Sequence, residues 1–241
     1  MHSIYQDILD AKMTDKKLLA VLVDPDKMQF AQVSNFIKKV NASIATHIFV
    51  GGSTVSDGLT EALVIAIKKY TDLPVILFPG DVVQITNKAD GILFLSLISG
   101  RNPDYLIGKQ VAAVSKLKRS DLEILPTGYI LIENGKQTSV ERVSQTKPLS
   151  RKAISTITDT AKAGEFLGMK LIYLEAGSGA THFIEPEIIE HVKAELDIPL
   201  IVGGGIRSKQ ALESVYKGGA DIVVIGTAFE DDESFFDKLR K

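Results

Sequence analysis

The stretch "LIYLEAGSGA" (171–180) runs from apolar and aromatic residues onto a single carboxylate and then into a glycine loop. Its first residues are apolar at nearly every position, which suits a parallel strand covered on both faces better than one with a wet face. The strand delivers one acid, Glu175, to its tip, and the loop beyond that tip is almost bare of side chains. Similar runs recur at "LLAVLV" (18–23), "THIFVGG" (46–52), "LPVILF" (73–78), "GILFLSL" (91–97), "EILPTGYILI" (123–132), "PLIVGG" (199–204) and "DIVVIGT" (221–227). Between them lie amphipathic stretches such as "DGLTEALVIAIKKY" and "IEPEIIEHVKAEL", with apolar residues three and four apart. About eight strand–helix units is the count of an α/β TIM barrel, (β/α)8, filling residues 1–241 as a single domain. A doubly wound open sheet with extra strands is the competing fold.

Two places depart from regular alternation. Only "PGDVVQITNKAD" separates the third and fourth strands, so the third helix is expected to be short or degenerate. The polar stretch "ENGKQTSVERVSQTKPLS" (133–150) is too long for an ordinary βα loop and reads as a lid or a substrate-facing excursion. A leading helix over about 3–12 is expected to plug or flank the barrel bottom.

Composition narrows the function. The net charge of −2 gives no bulk attraction to nucleic acid or anionic membrane. The absence of cysteine excludes disulfides, thiolate metal sites and a cysteine nucleophile together. His2, His47, His182 and His191 show no ligand spacing, which argues against zinc. No apolar run approaches the roughly 18–20 residues of a membrane span, and the N-terminus lacks a signal-peptide core. A cytoplasmic protein is expected.

"VGGGIRS" (202–208) and "VIGTAFE" (224–230) end the seventh and eighth strands, where barrels commonly hold a phosphate on backbone N–H groups. Glycine lets the main chain approach the oxygens, and Ser208, Thr227 and Arg207 are available to assist. At the other side "VLVDPDK" (21–27) closes the first strand and "FVGGSTVSDG" (49–58) the second. Asp24 with Ser53 or Thr54 suits Mg2+, which takes few protein oxygens and completes its shell with water and substrate phosphate. Capping of the first helix by Asp24 and Asp26 fits the same spacing.

Taken together, "DPDK", "GGST", "YLEAGSG", "GGGIRS" and "IGTAFE" resemble, in order and over essentially the whole chain, the geranylgeranylglyceryl phosphate synthase family. These are the prenyltransferases that make the first ether bond of archaeal-type lipids. The longer chain and the 133–150 excursion look like its larger subgroup, related to bacterial heptaprenylglyceryl phosphate synthases. The resemblance implies attack by the 3-hydroxyl of sn-glycerol 1-phosphate on C1 of a polyprenyl diphosphate, geranylgeranyl by the same analogy, with Mg2+ as cofactor. It implies that Asp24 and Ser53 hold the metal. Tyr173, Leu174, Glu175, Ala176, Gly177, Ser178 and Gly179 would line the glycerol site, and Gly204, Gly205, Gly226 and Thr227 would hold its phosphate. It also implies a homo-oligomer. One position departs: shorter members carry lysine two residues before the metal aspartate, where this chain has Leu22.

Glu175 is then the catalytic candidate, able to accept the hydroxyl proton or to stabilise positive charge developing at C1. An acid paired structurally with a nearby lysine or arginine is the plain alternative. The rival functions are another phosphate-binding barrel enzyme, such as a phosphosugar isomerase or synthase, and a non-catalytic barrel that binds a phosphorylated ligand. The former needs an acid on the fifth strand to partner Asp24, and "PTGYILIEN" offers no obvious one. For the prenyl chain, Phe94, Leu97, Ile98, Tyr105, Tyr129 and Leu131 are candidate groove residues that read equally well as core.

Overall fold

A computed structural model describes residues 3–240; His2 lies outside them. The strands are β1 (Leu18–Val23), β2 (His47–Val50), β3 (Val75–Leu77), β4 (Gly91–Leu97), β5 (Glu123–Leu131), β6 (Leu171–Glu175), β7 (Leu200–Gly203) and β8 (Ile222–Ile225). Every neighbouring pair is parallel, and β8 pairs with β1, so the sheet closes on itself in sequence order. The TIM-barrel reading holds, and the open sheet is excluded by the β1–β8 ladder.

The uniform apolarity of the strands has a direct cause. Alternate side chains point to opposite faces, and both faces here are dry. Val21, Ile48, Leu77, Ile172, Val202 and Val223 pack outward against the helices. Ala20, Phe49, Ile76, Leu93, Tyr129, Tyr173 and Ile201 fill the interior. The helices α1 (Ile4–Met13), α2 (Val33–Ala42), α3 (Leu59–Lys68), α4 (Lys109–Leu117), α5 (Ser139–Ser144), α6 (Ile154–Phe166), α7 (Pro186–Glu195), α8 (Lys209–Lys217) and α9 (Thr227–Asp231) complete the chain. No helix among the described residues is long and apolar enough to cross a membrane.

The leading helix α1 belongs to the interior. Ile4, Ile8 and Ala11 join the barrel-filling cluster, closing the N-terminal end of the strands. Glu123, at the start of β5, fixes its entry by accepting from the Ser3 hydroxyl and the backbone N–H groups of Ile4 and Tyr5.

Between β3 and β4 the chain makes only a 3-10 turn at Val82–Gln84, as expected from "PGDVVQITNKAD". Asp81 caps it through Val83 N–H. The buried Gln84 amide donates to Gly52 O at 2.9 Å and accepts from Gly80 N–H, so the turn ties the β2 and β3 loops together. The 133–150 excursion contains α5, which Thr138 caps through Glu141 N–H.

Candidate active site

At the C-terminal ends of the strands lies a cavity of about 410 Å³, within the usual range of small-molecule sites. Asp24, Ser53, Thr54, Tyr173, Glu175, Gly177, Ser178, Gly179, Gly204, Gly205, Gly226 and Thr227 all line it. Leu174 and Ala176 do not. The two-residue alternation of the strand turns both side chains towards the helix-facing core.

Glu175 occupies the middle. It is 5% exposed, and its Oε1 accepts the Gly177 N–H at 2.5 Å. Burial raises its carboxyl from 4.5 to about 7, against the pull of the Gly177 N–H and the nearby Tyr173 hydroxyl. An acid poised near neutrality is suited to proton transfer. The structural-pair alternative finds no support: no ion pair to Glu175 forms among the described residues.

Tyr173 is fully buried, yet its hydroxyl meets no hydrogen-bond partner of good geometry in the protein. An orphaned buried hydroxyl costs stability unless a ligand satisfies it. Its ring stacks on Phe78 (centroids 5.3 Å) and meets Tyr129 edge-on (5.2 Å), so its position is fixed by aromatic packing. A side chain on Gly203 would strike this tyrosine, which explains the glycine at the β7 tip.

The loops after β6, β7 and β8 meet above Glu175. Gly177, Gly204 and Gly205 have φ of +99°, +88° and +73°, which L side chains resist. Ser178 Oγ and Thr227 Oγ1 stand 3.5 Å apart, joining the β6 loop to the start of α9. The two glycine turns thus converge where the sequence placed a phosphate. Ser208 is not among the lining residues, and its hydroxyl accepts Ala211 N–H as the N-cap of α8. Arg207 lines the cavity and stands 3.8 Å from Asp231.

On the adjoining part of the rim, Asp24 comes directly after β1, the strand paired with β8. One oxygen accepts Asp26 N–H at 3.1 Å, and Lys27 Nζ lies 3.7 Å from the other. Burial raises its carboxyl, partly offset by those contacts. A Cβ at Gly52 would stand 3.1–3.2 Å from the carboxyl atoms, so the glycine keeps that face open. A partly buried carboxylate on a cavity that Ser53 and Thr54 also line is a hard, sparse oxygen set that fits Mg2+. No cluster of three or more metal-ligating side chains exists among the described residues, so substrate and water oxygens would complete any such shell.

Sequence reasoning missed several residues at the rim. Lys27 joins Glu230 of α9 at 2.8 Å. Lys109 of α4 donates to Gly80 O at 3.0 Å, pairs with Asp81 and lies over the Tyr105 ring. Phe78, Val82, Ile85 and Val140 form apolar wall. Of the groove candidates, Phe94, Leu97, Tyr105 and Tyr129 line the cavity. Ile98 instead packs beside Gly128 and Gly164, and Leu131 lies in the barrel interior. Glu133, the first acid after β5, is exposed and off the cavity, so Asp24 has no acid–base partner there.

A closed barrel with a glycine cradle across β6–β8, one buried acid and a partly apolar cavity defines a phosphoester-handling enzyme of the TIM-barrel class. The chain belongs to the PcrB family, whose model matches residues 11–241. It is 54% identical to the geranylgeranylglyceryl phosphate synthase of Flavobacterium johnsoniae, over 98% of this chain and 97% of that relative. It is 55% identical to the synthase of that name from Zunongwangia profunda, over 97% and 99%. The barrel superposes with a TM-score of 0.93 and 33% identity on the crystal structure of (S)-3-O-geranylgeranylglyceryl phosphate synthase from Thermoplasma acidophilum in complex with its substrate sn-glycerol 1-phosphate. That match covers 99% of this chain and 96% of the other.

Proposed function

We infer that the chain is a prenyltransferase that joins the 3-hydroxyl of sn-glycerol 1-phosphate to C1 of geranylgeranyl diphosphate and releases diphosphate. The observation that carries this reading is the buried Glu175, raised to about 7, beside an unpartnered Tyr173 hydroxyl and beneath the glycine turns. The backbone around Gly204, Gly205, Gly226 and Thr227 takes the phosphate. Tyr173 and the Gly177–Gly179 loop orient the glycerol hydroxyls. Glu175 accepts the proton of the attacking hydroxyl as the new C–O bond forms and the bond from C1 to the diphosphate oxygen breaks. Before it takes that proton, its ionised form faces any positive charge that develops at C1.

Asp24, with Ser53 or Thr54 beside it, would hold Mg2+. When bound there, the ion would offset the charge of the departing diphosphate. Phe78, Val82, Ile85, Phe94 and Tyr105 provide the apolar side of the cavity for the prenyl chain. The lack of a full helix between β3 and β4 supports this, because a 3-10 turn leaves the wall there thin. Exposed Ile107, Val111 and Val114 on one face of the α4 region support self-association, which sedimentation of the purified chain checks.

The test is incubation with sn-glycerol 1-phosphate, labelled prenyl diphosphates of graded length and Mg2+. An organic-extractable phosphate ether, most efficiently from the geranylgeranyl donor, is the expected result. Absence of ether with every donor overturns the reading.

A further inference from the structure

We propose that Lys27 is the cationic contact of the prenyl diphosphate, held ready by Glu230. The proposal rests on the prenyltransferase reading and names the protein group that recognises the leaving group. The cationic side chains that line the cavity among the described residues are Lys27, Lys109 and Arg207. Lys109 is committed to Gly80 O, Asp81 and the face of Tyr105. Arg207 sits on the β7 loop, on the cradle side, and pairs with Asp231. Lys27 alone of the three touches Asp24.

Its contacts leave it capacity. An ammonium has three donors. Glu230 takes one at 2.8 Å, while Asp24 at 3.7 Å is an ion pair too long for a good hydrogen bond. The side chain is half exposed, so its long stem can pivot without breaking core packing. Asp24, Asp26 and Glu230 line the same rim, so a diphosphate arriving there meets like charge unless a cation stands among them. Leu22, two residues before Asp24, packs its Cβ towards Gly226 and supplies no charge. Glu230 lies on α9, which begins at Thr227, so one salt bridge ties the β1 rim to the phosphate side.

The test uses inorganic pyrophosphate with Mg2+ as the probe, titrated calorimetrically into the intact protein, and sn-glycerol 1-phosphate as the control ligand. Lys27→Met is expected to weaken pyrophosphate at least about tenfold and to raise KM for the prenyl donor similarly, with glycerol phosphate affinity within about twofold. Lys27→Arg, which keeps the charge, is expected to recover most of the loss. Unchanged pyrophosphate affinity in a folded Lys27→Met protein overturns the proposal. Equal loss of both ligands also overturns it, because that marks a purely structural clamp between the β1 rim and α9. If Lys27→Met fails to fold, Lys27→Gln and Lys27→Arg decide by the same two affinities. Wild-type protein that forms the ether while Lys27→Met retains its donor KM removes Lys27 alone. Wild-type protein that forms no ether and binds no pyrophosphate removes the prenyltransferase reading first, and Lys27's role with it.

Discussion

A Cβ on Gly204 would stand 2.5 Å from Oε1 of Glu175, so the phosphate turn and the buried acid are fitted to each other with no room for a methyl group. Gly204→Ala therefore displaces the carboxyl besides straining a φ of +88°. Gly58, with φ of +78° and nothing within 4 Å of its would-be Cβ, carries the strain alone. Both alanine variants should lose about 1 kcal/mol or more of stability, and only Gly204→Ala should lose turnover by at least about tenfold. Parallel melting curves and initial rates check the contrast; equal activity in the two variants refutes the fit.

Glu175→Gln should lower turnover by at least about a hundredfold while leaving glycerol phosphate affinity within a few fold. Its stability effect has a definite sign. The folded carboxyl titrates near 7 against 4.5 when free. The cost of burying its charge is therefore absent below about pH 4.5 and complete above about pH 7. Above pH 7 the glutamine variant without substrates should gain stability on the order of 3 kcal/mol. Denaturant unfolding at pH 5 and pH 8 measures it, and an equal shift at both pH values counts against the assignment.

Asp24→Asn should raise the Mg2+ concentration for half-maximal rate by at least about tenfold, because one of the few hard oxygen charges at that rim is gone. Superimposable metal titrations of variant and wild type would remove Asp24 from the metal role.

His47 lies buried at the start of β2 and contacts the Thr46 hydroxyl at 2.8 Å. Burial first, and Lys16 second, lower its ring from 6.5 to about 4. The unfolded chain then binds the extra proton between those values, so stability is full above about pH 6.5 and falls as pH drops towards 4. His47→Gln should flatten that part of the melting-temperature profile. A slope unchanged from wild type would place the acid sensitivity elsewhere.

The strands were legible because a barrel buries both faces of each, which removes the polar alternation and leaves an apolar run. The short third crossover was legible for the opposite reason, since "PGDVVQITNKAD" lacks a helical face. The helices α5 and α9 were not, being six and five residues long, less than two turns of period to detect. Ser208 was read as a phosphate donor although its place before an amphipathic helix is also an N-cap signal. Glu175 and the glycine turns were found because each stands at a strand tip. The Lys27–Glu230 pair joins residues 203 apart, and no local spacing encodes a contact made only when the first and last strands close. Tyr129 read equally well as groove and as core, and Phe78 was not singled out; both line the cavity because the aromatic cluster that fills the barrel is also its floor.

The inward-facing α1 has a consequence for traffic. With Ile4, Ile8 and Ala11 stoppering the far end of the tube, no passage runs to the cavity through the barrel from below. All traffic therefore passes over the strand tips, across the loops that carry the site, and the helix at the foot of the barrel serves only as its stopper.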